Sequence, residues 1–201
     1  MRMLTLAAIF ASGCSAATAV GTFPAKPLDR SASVHLFVMP PAVEGSAATG
    51  NVGRSFSDVE QVVATRLLTI VRERDAGAAM ADLTSQTPFL PMAKYIDAVA
   101  PARTTRSELE AAGFALHHGG THLLVPTIIE WREVRAGDPI GALLPPHDGV
   151  VIALRLVRLE RPMVEGSVTF KNHSRVTVNQ SADRLLNGDF RQTVLRLLGS
   201  G

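Results

Sequence analysis

Apolar positions recur every three to four residues in two stretches of the chain and every second residue in several others. Val59, Val62, Val63, Leu67, Ile70 and Val71 mark one amphipathic helix running to about residue 72. Its start is signalled by the capping-box spacing Ser57-Asp58-Val59-Glu60. Thr105-x-x-Glu108 opens a second helix with Leu109, Ala112 and Leu116 on one face, and Gly119-Gly120 supplies the left-handed stop. A third helical region follows Ser181, which can cap it, and carries Phe190, Val194, Leu197 and Leu198 as its stripe.

Between the helices the period falls to two. SVHLFVMPP (33–41) reads as one short strand ended by two prolines, and YIDAV (95–99) as another. THLLVPTIIEW reads as a buried strand in which Pro126 marks a bulge or an edge. In VVIALRLVRL, Ile152, Leu154 and Leu156 share one side while Arg155 faces the other. A turn at Glu160 to Val164 leads back through GSVTF, with SRVTV extending or following it. Loops fill 44–55 and 135–149, and residues 73–93 are ambiguous, AGAAMADL fitting a short helix. The order β, α, β, α, β, β, β, α predicts a single α/β (α+β) domain. Its mixed sheet ends in an antiparallel C-terminal meander and is packed by about three helices.

Composition supports a folded chain, with 46% hydrophobic and 19% charged residues among 201. A net charge of +2 gives no electrostatic footprint for nucleic acid. Cys14 is the only cysteine, so no intramolecular disulfide can form and the core must be sufficient alone.

The amino terminus, MRMLTLAAIFASGC, has Arg2 before an apolar stretch from Leu4 to Ala11, then Ser12-Gly13-Cys14. That stretch is far shorter than the roughly 20 residues a membrane-spanning helix needs. It has the layout of a secretory signal, and the small residues before Cys14 resemble the lipobox of bacterial lipoproteins. The expected organisation is a signal peptide over 1–13, a lipidated tether over 14–30 and the α/β domain over 31–201. SAATAVGTFPAKPLDR (15–30) is aperiodic and Pro-containing, and fully extended it would reach about 50 Å. The lipobox resemblance implies fatty-acylation at Cys14, with signal peptidase II and the lipidating transferases as processing partners. Ser15 after the cysteine implies the periplasmic face of the outer membrane.

From residue 105 onward the chain resembles DUF4823, a family of small bacterial lipoproteins. Ala112-Gly113, Gly120, Leu123-Leu124-Val125-Pro126-Thr127-Ile128, Trp131, Val151 to Val157, Ser167-Val168-Thr169-Phe170, Ser174 and Leu185-Leu186 carry the resemblance. The order of elements is also similar to the periplasmic α/β domain at the amino terminus of TolB. The family is one of unknown function, and the TolB likeness is of fold alone. The lipobox, together with the sparse candidate chemistry, leads to the expectation of a membrane-held, non-enzymatic binding or adaptor protein whose partner is another envelope protein or a glycan.

Candidate chemistry is sparse. HHGGTH (117–122) holds three of the six histidines. His117 and His118 diverge by about 100° on a helix, and neither H-E-x-x-H nor H-x-H spacing accompanies them. An envelope enzyme with a metal or catalytic site around His117–His122 is the alternative reading. Gly45 to Gly50 has Walker A spacing, but Asn51-Val52 stands where the phosphate-binding Lys and the Mg-binding hydroxyl belong. Glu130, Glu133 and Asp138 each have an arginine within a few residues and read as solvated pairs. Trp131, the only tryptophan, is the candidate partner anchor, with core packing as its other role. No cofactor motif and no catalytic constellation is read.

Overall fold

The computed structural model describes residues 16–24, 28, 34–44, 56–84, 95–96, 105–133, 148–174 and 182–199. Seven strands form one sheet: β1 (Ala16–Thr22), β2 (Leu36–Val38), β3 (Ala42–Val43), β4 (Ala79–Met80), β5 (His122–Arg132), β6 (Gly149–Arg158) and β7 (Met163–His173). The helices are α1 (Phe56–Arg72), α2 (Arg106–His117) and α3 (Gly188–Leu197), with a 3-10 helix at Ala182–Leu185. The strand order is β1-β7-β6-β5-β2-β4, and β3 pairs with β5 off this path. β5, β6, β7 and β1 are antiparallel neighbours, whereas β2 runs parallel to both β4 and β5. The mixed α/β sheet with its antiparallel C-terminal meander is therefore present.

Topology explains why the helices lie on two faces. The chain passes outward from β2 through α1 to β4, then back across β2 through α2 to β5. Parallel crossovers keep one hand, so reversing direction puts α1 and α2 on opposite faces. Two core clusters result. Val59, Val63, Leu67, Ile70 and Val71 of α1, with Phe190, Val194 and Leu197 of α3, cover Leu124, Ile128, Ile152, Leu154 and Phe170. On the other face Ala111, Ala112 and Ala115 of α2 lie against Leu123, Val125 and Val157. α2 does not reach across the meander. On its side Thr18, Val20 and Thr22 of β1 share a face with Ser167 and Thr169 of β7, and Val20 is 69% exposed.

Helix ends follow their sequence signals closely. Thr105 caps α2, its side chain accepting from the Glu108 N–H at 3.2 Å. Gly119 takes a positive φ of 75° just after it. Gly120 must lack a side chain, because a Cβ there would lie 2.7 Å from both the Ala115 carbonyl and the Phe37 ring. α1 begins at Phe56, a residue ahead of the expected Ser57 cap. The final helical region opens with the 3-10 helix at Ala182, and α3 within it is capped by Asn187, whose side chain accepts from the Asp189 N–H.

Pro126 sits mid-sheet, between β6 and the β2–β3 side, and the bulge falls between Ile128 and Glu130 instead. Backbone groups alternate sides along a strand. The Leu124 and Ile128 carbonyls accept from Met39 and Glu44, so the missing Pro126 donor faces the stretch where Pro40 and Pro41 interrupt the neighbouring strand. The proline is tolerated because its neighbour is broken at the same place.

Three expectations change. The ambiguous AGAAMADL segment forms β4, where Ala79 and Met80 pair with Phe37 and Val38 as an edge. Tyr95 and Ile96 are helical, not extended. The tether expected over 14–30 is part of the sheet from Ala16 to Thr22, all seven residues paired with β7. Small residues allow the close approach: a Cβ at Gly21 would lie 2.1 Å from the Ser167 carbonyl. Cys14, the loop at Gly45–Gly50, Asp138, SRVTV beyond Ser174 and Ser181 lie outside the described residues.

Phe170 and Phe190 meet edge to face with centroids 5.0 Å apart, and both are fully buried. Phe190→Ala is expected to cost about 3–5 kcal/mol, read as a lowered midpoint in urea unfolding. An unchanged midpoint would contradict this packing.

Candidate functional site

The histidine cluster does not converge. His118 stacks on Phe114 at 4.1 Å between centroids, and its Nδ1 lies 2.8 Å from the Phe114 carbonyl. The His117 ring stands at 76° to it. His122 turns into the sheet, where it is 7% exposed. Among the described residues no group of three or more His, Cys, Asp or Glu is placed to hold a metal ion.

His122 belongs instead to a charged cluster at the end of β5, β6 and β7. Its Nδ1 lies 2.9 Å from the Thr121 hydroxyl, and its Nε2 is 3.2 Å from Glu165 but not aligned for a hydrogen bond. Glu165 is paired with Arg158, which satisfies its charge. Burial lowers the His122 pKa most; Glu165 opposes this, Arg158 adds to it, and Glu160 acts weakly upward. The ring is therefore held neutral. Hydroxyl, imidazole and carboxylate stand in a row, an arrangement that could activate a nucleophile. The Thr121 hydroxyl, however, already accepts from the His35 N–H at 3.1 Å and ties β2 to β5. Its present work is closing a strand end.

A second buried network lies under α2. Glu108 is 1% exposed, and its Oε2 accepts from Arg155 at 2.6 Å while its Oε1 accepts from the Tyr95 hydroxyl at 2.8 Å. Burial first, then the Glu108 charge, pushes the Tyr95 phenol up, so it remains a donor. Removing one partner of such a buried pair costs about 3–5 kcal/mol, because the other charge is stranded. This network fastens α2 to β6. The sequence carried half of its signal: Arg155 faces away from Ile152, Leu154 and Leu156, and Glu108 completes a capping-box pattern. Nothing local in the sequence said the two would meet.

Trp131 is fully buried in the core beneath α1 and α3, its Nε1–H donating to Glu133 at 3.3 Å. An enclosed ring is not presented to a partner, so of the two roles read for Trp131 the structure has core packing. Glu130 lies half-buried opposite Val151 at the strand end.

A concave feature formed by described residues lies elsewhere, and no sequence motif pointed to it. An open groove of about 500 Å³ runs between α1 and the 3-10 helix, lined by Thr65, Arg66, Thr69, Asp183, Arg184 and Leu186 among others. The Arg66 Nε–H donates to the Leu186 carbonyl at 3.1 Å, which fixes the guanidinium at its rim. Two arginines beside threonine hydroxyls and a leucine can hold a hydroxyl-bearing or anionic group.

No protein-family model and no curated protein matches the chain. The DUF4823 resemblance is thus not matched by a family model. Among solved structures the chain is similar to the PelC dodecamer from Paraburkholderia phytofirmans, at 15% identity and a TM-score of 0.56, covering 92% of this chain and 99% of that one. It is more loosely similar to lipoprotein GNA1162 from Neisseria meningitidis, at 14% identity and a TM-score of 0.40 over 81% and 92% of the two chains. Protein XCC0632 from Xanthomonas campestris, of family DUF330, gives 12% identity and a TM-score of 0.38 over 89% and 91%. The PelC likeness shows the fold alone, and the other two superpose too loosely to add to it. No helix among the described residues is long and apolar enough to cross a membrane.

A buried neutral histidine makes stability depend on pH. Free histidine titrates near 6.5, and the lowered value in the fold means the unfolded chain takes the proton first. This contribution is complete above about pH 6.5 and is lost as pH falls through the folded value. Between about pH 8 and about pH 5, the urea midpoint should fall more steeply for the wild type than for His122→Gln. Equal slopes would show that His122 titrates as an exposed ring.

Proposed function

We propose that the chain is a lipoprotein held to the periplasmic face of the outer membrane by acyl chains at Cys14. Its role in this reading is to bind other envelope components, without catalysis. The reading is carried by Cys14, set after an apolar stretch and small residues and followed at once by folded chain. Two or three acyl chains give stable anchoring where one alone binds marginally.

The fold shared with PelC, described as a dodecamer, supports assembly with further copies as one form of that binding. The face of β1 and β7 with Thr18, Val20, Thr22, Ser167 and Thr169, on which Lys171 is a charged neighbour of Thr18, offers flat surface for it. The groove at Arg66 and Arg184 suits a glycan or an acidic segment of an envelope protein. The row of Thr121, His122 and Glu165 is the observation that favours the alternative, an envelope enzyme.

Cys14→Ser tests the reading. It should abolish fatty-acid labelling and leave the 21.4 kDa precursor unprocessed, while the wild type extracted in detergent should run as an oligomer of the shorter, processed chain. Unchanged labelling in the variant would contradict the anchor, and a wild-type monomer would contradict self-assembly.

A further inference from the structure

From the position of β1 we infer that one end of the sheet rests against the bilayer and the opposite end is held outward. This rests on acylation at Cys14. β1 starts at Ala16, already paired with His173, so Ser15 alone lies between the acylated residue and the sheet. Two peptide steps of 3.8 Å allow a reach of at most about 8 Å, less than two strand spacings of about 4.8 Å each. The roughly 50 Å of slack that a free 15–30 segment would provide is gone.

The ladder identifies which end this is. Ala16 pairs with His173, His173 with Gly149, and Gly149 with Arg132, so four strands finish in one row beside the anchor. Seven register pairs hold β1 to β7 along the whole strand. A pull on Cys14 is therefore borne by the sheet and is not absorbed by a loose arm. From Gly149 to Arg158 the ten residues of β6 span about 30 Å. That places the cluster of His122, Arg158 and Glu165 at the far end, clear of the headgroups.

The arrangement constrains assembly. β1 is an edge strand with no charged side chain in AATAVGT, the kind of edge that invites pairing with another copy. Antiparallel pairing of two β1 strands would place their Cys14 anchors beyond opposite ends, the two Ala16 starts alone being about 20 Å apart along the strands. Two copies in one leaflet cannot satisfy that. Neighbouring copies stand side by side with their strands running the same way.

The test uses full-length acylated protein in phosphatidylethanolamine–phosphatidylglycerol vesicles containing a lipid with a nitroxide on its headgroup. Cys14 being the only cysteine and occupied by lipid, Lys171→Cys and Met163→Cys each offer one thiol for a fluorophore. Both positions are exposed; Lys171 pairs with Thr18 near the anchor row, and Met163 pairs with Arg158 at the other end. Quenching should be several-fold stronger at Lys171→Cys. A ten-residue Gly-Ser linker inserted after Ser15, with a root-mean-square span of about 17 Å, should erase the difference. Equal quenching in protein whose mass includes the acyl chains would overturn the orientation and leave the anchor standing. A difference that survives the linker would overturn the short link as its cause. A mass without acyl chains would overturn the anchor and the orientation together.

Discussion

A strand with apolar side chains on both faces cannot sit at the surface of a two-layer protein, and β5 is such a strand. Leu124 and Ile128 point to one side and Leu123 and Val125 to the other, all of them buried. Each face then needs its own cover. The route from β2 out to β4 and back to β5 supplies it, because crossovers of one hand taken in opposite directions leave α1 and α2 on opposite faces. α3 joins α1 and extends its layer over β6 and β7. On the other side α2 is short and alanine-faced, and among the described residues no helix covers the meander beyond it, where Val20 is exposed.

Much of this was legible in the residues. Apolar periods located α1, α2, β5 and β6, and the stripe of Phe190, Val194 and Leu197 located α3, since a helix or strand with one buried face writes that face into its sequence. β4 and β1 were not legible for a shared reason. Ala79 and Met80, like AATAVGT, are short or small-residue edge segments, held by backbone pairing to a neighbour more than by side chains of their own. Pairing of that kind leaves no period to read. Tyr95 failed differently: its place is fixed by Glu108 and Arg155, contacts across the fold that no local pattern encodes.

The candidate site divides along the same line. HHGGTH was correctly seen as a helix end running into a strand, with Gly119 at φ 75° as the stop. What the sequence could not give was the partner of His122, because Glu165 arrives from β7. Trp131 had two roles open to it, and burial on the α1–α3 side decided for packing. The groove at Arg66 and Arg184 joins α1 to a segment more than a hundred residues later and had no sequence signal. Two buried carboxylates, Glu108 paired with Arg155 and Glu165 paired with Arg158, fasten α2 and the far strand ends to the sheet.

The whole functional account turns on whether the chain just after Cys14 is strand or tether. Amide hydrogen exchange on the full-length protein, followed by peptide mapping, measures this directly. Peptides covering 16–22 should retain deuterium-protected amides on the time scale of β7, at the positions that bond to it. Exchange there at the rate of an unstructured chain would contradict the account: β1 would be a free arm, and the sheet would have no fixed relation to the membrane.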